Sequence, residues 1–194
     1  MEQNSQFHKE DLRSQIREAY ARLVYTYTTH LKQAGRLTSL NKNIKHWQIV
    51  LSAISTGGFI GAVITNELIM TWLSGIVSTA LLGLNLYFKD FNLAETIKQH
   101  RIVADQLWLL REKYLSLLTD LDTLSETEIM VRRDALQNDT AEVYASAPST
   151  DSKSYAAAQK ALKSEEEQFF TDAEIDQLLP PHLRKTNSPT KTGS

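Results

Sequence analysis

The sequence predicts an all-α membrane protein. A two-helix transmembrane hairpin follows an N-terminal amphipathic helix and precedes a long cytosolic helical extension and C-terminal helices. Three observations carry this. Residues 47–88 hold a single charge, Glu67, in 42 positions. No proline or glycine interrupts residues 92–124. On both sides of the uncharged stretch, apolar residues recur every three or four positions, the period of one helix face.

Residues 1–46 are expected to be cytosolic. Over 9–33, Leu12, Ile16, Ala19, Leu23 and Tyr27 share a face, with Arg13, Arg17 and Arg22 off that seam. Such a helix can lie on a membrane surface or pack in a cytosolic bundle. The ordinary width of the stripe, with Tyr and Ala in it, favours packing. Gly35 is expected to stop this helix as a left-handed C-cap. Thr38 or Ser39 then caps a second helix that continues into the first span.

Glu67 and Asn66 divide the uncharged stretch into spans 47–65 and 68–88, joined by an extracytoplasmic turn at 66–67. Each has the roughly 20 residues that a helix needs to cross about 30 Å of hydrocarbon. The bland alternative is a hairpin buried in a soluble helical protein, but a chain of 194 residues has too little other protein to cover both segments. Lys32, Arg36, Lys42 and Lys45 precede the first span with no acid among them, and Lys89, Lys98 and Arg101 follow the second. The turn has no cation, so both termini are expected on the cytoplasmic side of an inner membrane. Trp47, Trp72 and Tyr87 stand near the span ends, where amphipathic rings prefer to sit.

Each span carries two kinds of face. Ala53, Gly57 and Gly61 in the first, and Gly75, Thr79 and Gly83 in the second, repeat every fourth residue, a spacing that lets helix backbones approach closely in lipid. This ridge serves either the hairpin's own packing or a homo-oligomer. On another face lie Gln48, Ser52 and Ser55, and Thr71, Ser74, Ser78 and Asn85. The bland reading is that each hydroxyl bonds the carbonyl four residues back. The sharper one is that Ser52, Ser55, Thr71, Ser74, Ser78 and Asn85 line a shared pore, Asn85 nearest the cytoplasmic mouth.

Beyond Phe88 nothing obvious stops the second helix. Leu93, Ile97, His100, Ala104, Leu107, Leu110, Tyr114, Leu117, Leu121 and Leu124 keep a near-heptad beat, which suits a local bundle or a coiled coil. A helix over 66–122 would be about 85 Å long. His100 on that seam reads as a packed histidine. Ser125 with Glu128 forms a capping box for a helix to about Ala145, closed by Pro148. Arg132 and Arg133 on it are weak candidates to grip a phosphate signal; a solvated cationic patch is the plainer reading. Asp151 or Ser152 opens a helix expected over 154–170. Thr171 with Glu174 caps a short helix ended by Pro180 and Pro181, so the cytosolic helical region spans 89–184. Residues 185–194 have the composition of a disordered tail.

The net charge of −2 argues against a nucleic-acid polymer as partner. It is unevenly placed, net +4 over 1–46 and −6 over 103–194, so the parts outside the membrane attract one another. Cysteine is absent, excluding disulfides and thiolate metal sites. No phosphate-cradling glycine loop, HExxH or GxSxG occurs outside the membrane. The five histidines share no ligand spacing on one helix face. No enzyme, metal or cofactor is expected, and two spans with no charged residue inside them offer a carrier no substrate site.

The order of parts, with HRIVADQLWLLREKYLSLL (100–118) and DAEIDQLLPPHLR (172–184), resembles the bacterial SLATT domains. These are two-helix membrane effectors encoded beside nucleotide-signalling or other sensor genes in antiphage systems. The resemblance covers about residues 8–184 and rests on architecture and helix texture. It implies a pore former that permeabilises the inner membrane on a signal, a cyclic oligonucleotide or a sensor protein encoded nearby. It carries no ligand motif that transfers residue by residue. The reading from another class is a membrane-anchored helical scaffold that recruits a cytosolic partner without forming a pore.

Overall fold

The computed structural model describes residues 2–65, 68–89 and 92–185. The expected turn at 66–67 and nearly all of the expected tail lie outside the described residues. Among the described residues the fold is all-helical: α1 (Glu2–Thr65), α2 (Leu68–Lys89), α3 (Leu93–Asp120), a 3-10 turn (Leu121–Thr123), α4 (Glu126–Ser146), α5 (Ser152–Lys163), α6 (Asp172–Leu178) and a last 3-10 turn (Pro181–Leu183). Two compact units divide between Ala158 and Gln159.

The first unit is organised on α1, whose 64 residues extend about 95 Å. Gly35 does not stop it. A glycine inside a helix costs about 1 kcal/mol relative to alanine, and burial of Gln33 and Ala34 beside it outweighs that. Thr38 and Ser39 do not cap either: their hydroxyls donate to the carbonyls of Ala34 (2.7 Å) and Gly35 (3.2 Å) one turn back. The expected boundary at residue 46 therefore falls inside one helix.

The long helix expected over 66–122 is instead broken. α2 ends at Lys89 and α3 starts anew after Asn92, whose side chain accepts from Glu95 N (3.2 Å). Asparagine is among the best N-caps because its carbonyl oxygen satisfies an orphan amide of the first turn. α2 runs back along the second half of α1, and α3 along the first half, where α4 completes a bundle.

The bundle core joins Leu12, Ile16 and Leu23 of α1 to Leu107, Leu110, Tyr114 and Leu117 of α3 and to Ile129 and Leu136 of α4. The seams expected on α1 and α3 are the faces that meet. At the far end, Lys9 donates to the carbonyls of Asp122 (3.2 Å) and Leu124 (3.1 Å), and Arg13 pairs with Asp122 (2.5 Å). Ser125 and Glu128 form the expected capping box. Ala147 is extended, as the residue before Pro148 must be.

In the second unit, α5 ends at Lys163, not at Phe170. Carrying it on would set Glu165, Glu166 and Glu167 against the negative end of the helix dipole. The chain turns instead: Glu165 N bonds Lys160 O (3.2 Å) and Glu167 N bonds Ala161 O (3.0 Å), with left-handed backbone at Glu166 (φ 50°) and Gln168 (φ 73°). Thr171 and Glu174 form the second capping box. Lys185 ties this unit off through Asp172 (3.0 Å) and Asp176 (3.0 Å).

Candidate functional site

Two places concentrate polar chemistry where the fold would otherwise be apolar. The first is the hairpin of α1 and α2. The stretch Leu68–Thr123 contains a window long and apolar enough to cross a membrane, and only 6% of that window is buried. On the α1 side, Ile49 is 70% exposed and Ile64 77%. The rest of the chain therefore does not cover these residues, and a water-facing surface of this kind would be an aggregation liability.

The two weakly polar stripes meet between the helices. Gln48 Nε2 donates to Asn85 Oδ1 (2.9 Å), and Ser55 and Ser78 share a hydroxyl hydrogen bond. Ser74 is buried, donates to Met70 O (2.8 Å) and faces Gly58, where an added Cβ would lie 2.6 Å from its Oγ. Ser52 and Asn85 border an open groove of about 730 Å³ along α1 and α2, with Lys45 at one end. Thr71 is exposed. The structure thus bonds Ser55 to Ser78 and Gln48 to Asn85 across one hairpin, buries Ser74 and leaves Ser52 and Thr71 exposed.

The small-residue ridge behaves differently. Added Cβ atoms at Gly57, Gly75 and Gly83 would meet nothing within 4 Å, and one at Gly61 would meet only Met70 Sδ at 3.6 Å. Ala53 is exposed, as is Thr79, whose hydroxyl bonds Gly75 O (2.9 Å). The hairpin packs through Gly58 and the hydroxyls, and most of the ridge stays uncovered.

The second place lies at the end of the bundle nearest the hairpin, and sequence reasoning missed it. His30 of α1 and His100 of α3 meet through their Nδ1 atoms at 2.8 Å, both buried. One ring donates and the other accepts, so the two hold different tautomers. Beside them, the Gln33 amide nitrogen donates to Ser154 Oγ (2.5 Å) and to the Asp151 carboxylate (3.2 Å). Asp151 caps α5 by accepting from Ser154 N (2.8 Å), and Arg36 forms an ion pair with it. One sequence signal was available: the α1 seam continues from Tyr27 to His30 and Ala34 at three and four. His100, 70 residues away, sits on the α3 seam and is buried as a packed histidine, but no spacing linked it to His30.

Burial and then the adjacent His100 push His30 down to about 4; burial also lowers His100, opposed by the Asp151 carboxylate. The unfolded chain takes up these protons near pH 6.5, whereas the folded chain resists them. Stability should be full above about pH 6.5 and fall as pH drops from there toward 4, by up to about 1.4 kcal/mol per pH unit for each proton. Thermal midpoints at pH 7.5, 5.5 and 4.5 test this, with His30→Phe/His100→Leu expected to flatten the decline. A double variant with the parental slope would assign the acid sensitivity elsewhere.

Arg132 and Arg133 are not brought to one site. Arg133 turns to α1, donating to Gln15 Oε1 (3.0 Å) and to Asp134 Oδ1 (2.9 Å), while Arg132 is exposed. Among the described residues no group of three or more metal-ligating side chains converges.

A family model described as SMODS and SLOG-associating 2TM effector domain family 4 matches residues 12–174. No curated protein and no solved structure matches the chain.

Proposed function

Because this chain belongs to the SMODS and SLOG-associating 2TM effector domain family 4, a family of membrane effectors, we propose that it acts by opening a pore. Several copies assemble through the uncovered ridge of Gly57, Gly75 and Gly83 and permeabilise the inner membrane in antiphage defence. The observation that carries this reading is the division of labour on the hairpin. Its polar stripe is used within one chain, and the face suited to close helix approach in lipid is left without a partner. No enzymatic step is involved. Both termini lie in the cytoplasm, where a cyclic oligonucleotide or a neighbouring sensor protein supplies the trigger. On opening, Ser55, Ser78 and Asn85 exchange bonds within the hairpin for contact with water, beside the already exposed Ser52. Hydroxyl and amide dipoles of that kind suit a passing ion.

A scaffold reading has one observation in its favour. Phe169, Phe170, Leu178 and Leu183 of the second unit are exposed and offer apolar anchors to a partner protein.

Induced expression with a potential-sensitive dye separates the two. The parent should depolarise cells, whereas Gly57→Leu/Gly75→Leu should abolish depolarisation and reduce oligomer size in detergent while leaving the protein in the membrane fraction. Impermeant thiol reagents on intact cells should label Asn66→Cys and spare Ser125→Cys. A double leucine variant that still depolarises cells would remove the ridge from the mechanism, and activity retained on an unrelated leucine-rich anchor would favour the scaffold.

A further inference from the structure

The groove beside the hairpin, which shares Ser52 and Asn85 with the pore reading, carries a further chemistry in the single chain. It follows α1 from Lys45 to Thr56, eleven residues or about 16 Å, the depth of one leaflet in a hydrocarbon core about 30 Å thick. Lys45, Gln48 and Asn85 stand at the end beside the basic flank, and Ile49, Ala53 and Leu81 wall the remainder. At the polar end the unused groups are chiefly donors. Lys45 makes no ion pair among the described residues, and Asn85, whose Oδ1 accepts from Gln48, keeps its Nδ2 hydrogens free. Donors above an apolar trough match phosphate and ester oxygens above an acyl chain.

We infer that this groove holds one anionic phospholipid of the cytoplasmic leaflet, its phosphate at Lys45, an ester oxygen at Asn85 and an acyl chain along Ile49, Ala53 and Leu81. The lipid is anionic because Lys45, the one cation lining the groove, makes no ion pair among the described residues and no acid occurs from Tyr27 to His46, so a headgroup amine would meet like charge. Basic pockets between helices on the cytoplasmic side recognise headgroups in this way. The apolar trough selects a lipid over free phosphate. The inference rests on the membrane reading above.

The test is native mass spectrometry of the full-length protein in detergent with equal amounts of phosphatidylglycerol and phosphatidylethanolamine. One phosphatidylglycerol per chain should be retained with a preference of about fivefold, corresponding to the ~1 kcal/mol that one lysine contributes beside anionic lipid. Lys45→Gln should erase the preference. Lys42→Gln, the same charge change outside the groove lining, should keep it. Equal retention of both lipids, or equal losses in the two variants, overturns the site. So does disulfide cross-linking between copies through Leu81→Cys, which would put a second chain in the groove. Alkaline carbonate washing tests the reading beneath: release of the protein ends both, and retention without lipid preference ends the lipid site alone.

Discussion

Replacing Leu107 by alanine should lower the unfolding free energy of the bundle by about 2–5 kcal/mol, the range for a buried leucine whose cavity cannot fully collapse. Leu107 is fully buried in the cluster where α1, α3 and α4 meet. For a domain of this size each kcal/mol lowers the thermal midpoint by roughly 2–4 °C. Circular dichroism melting of the detergent-solubilised protein measures the shift. Leu109, two residues along the same helix and 53% exposed, provides the control, and its truncation should stay within about 0.5 kcal/mol. Equal shifts for the two would mean that the core is not the one described.

Gly58→Val should separate the hairpin. The new Cβ would begin 2.6 Å from Ser74 Oγ, and the second branch leaves no rotamer clear of it. The displaced hydroxyl loses its bond to Met70 O, and the helices must part, taking the Ser55–Ser78 and Gln48–Asn85 bonds with them. Gly58→Ala should be milder, because Ser74 can turn its hydroxyl aside. The chain has no cysteine, so a disulfide between Gln48→Cys and Asn85→Cys reports hairpin closure without background. Its yield should fall at least about tenfold, the equivalent of 1.4 kcal/mol, with Gly58→Val. It should not change with Gly57→Val, which meets nothing within 4 Å. Equal yields for both would show that the close approach at Gly58 is not needed.

What could be read from the sequence was local. The uncharged stretch, both capping boxes and the phases of the α1 and α3 seams each depend on residues within a few turns, and each is present in the structure. Continuity across Gly35 was not legible, because tertiary burial of Gln33 and Ala34 decides it against intrinsic propensity. The break at Asn92 was legible in principle, since asparagine is a strong cap, but the missing proline and glycine concealed it. On the hairpin, both faces were visible as spacings. Which face closes the hairpin was not, since glycine and serine both permit close approach and only the paired backbones decide. The His30–His100 contact, like Gln33 with Ser154, joins residues far apart in sequence. Periodicity gives such residues a face but not a partner.

The unbroken course of α1 has a mechanical consequence. Eighteen residues make five complete turns, so Leu12, His30 and Gln48 lie on one line along the helix. α3 grips that line in the bundle, and α2 grips its continuation in the hairpin. With no joint at Gly35, the helix itself fixes the angle between the two gripped faces. The direction in which Ser55 and Gly58 point relative to the bundle is therefore set by helical phase rather than by bending.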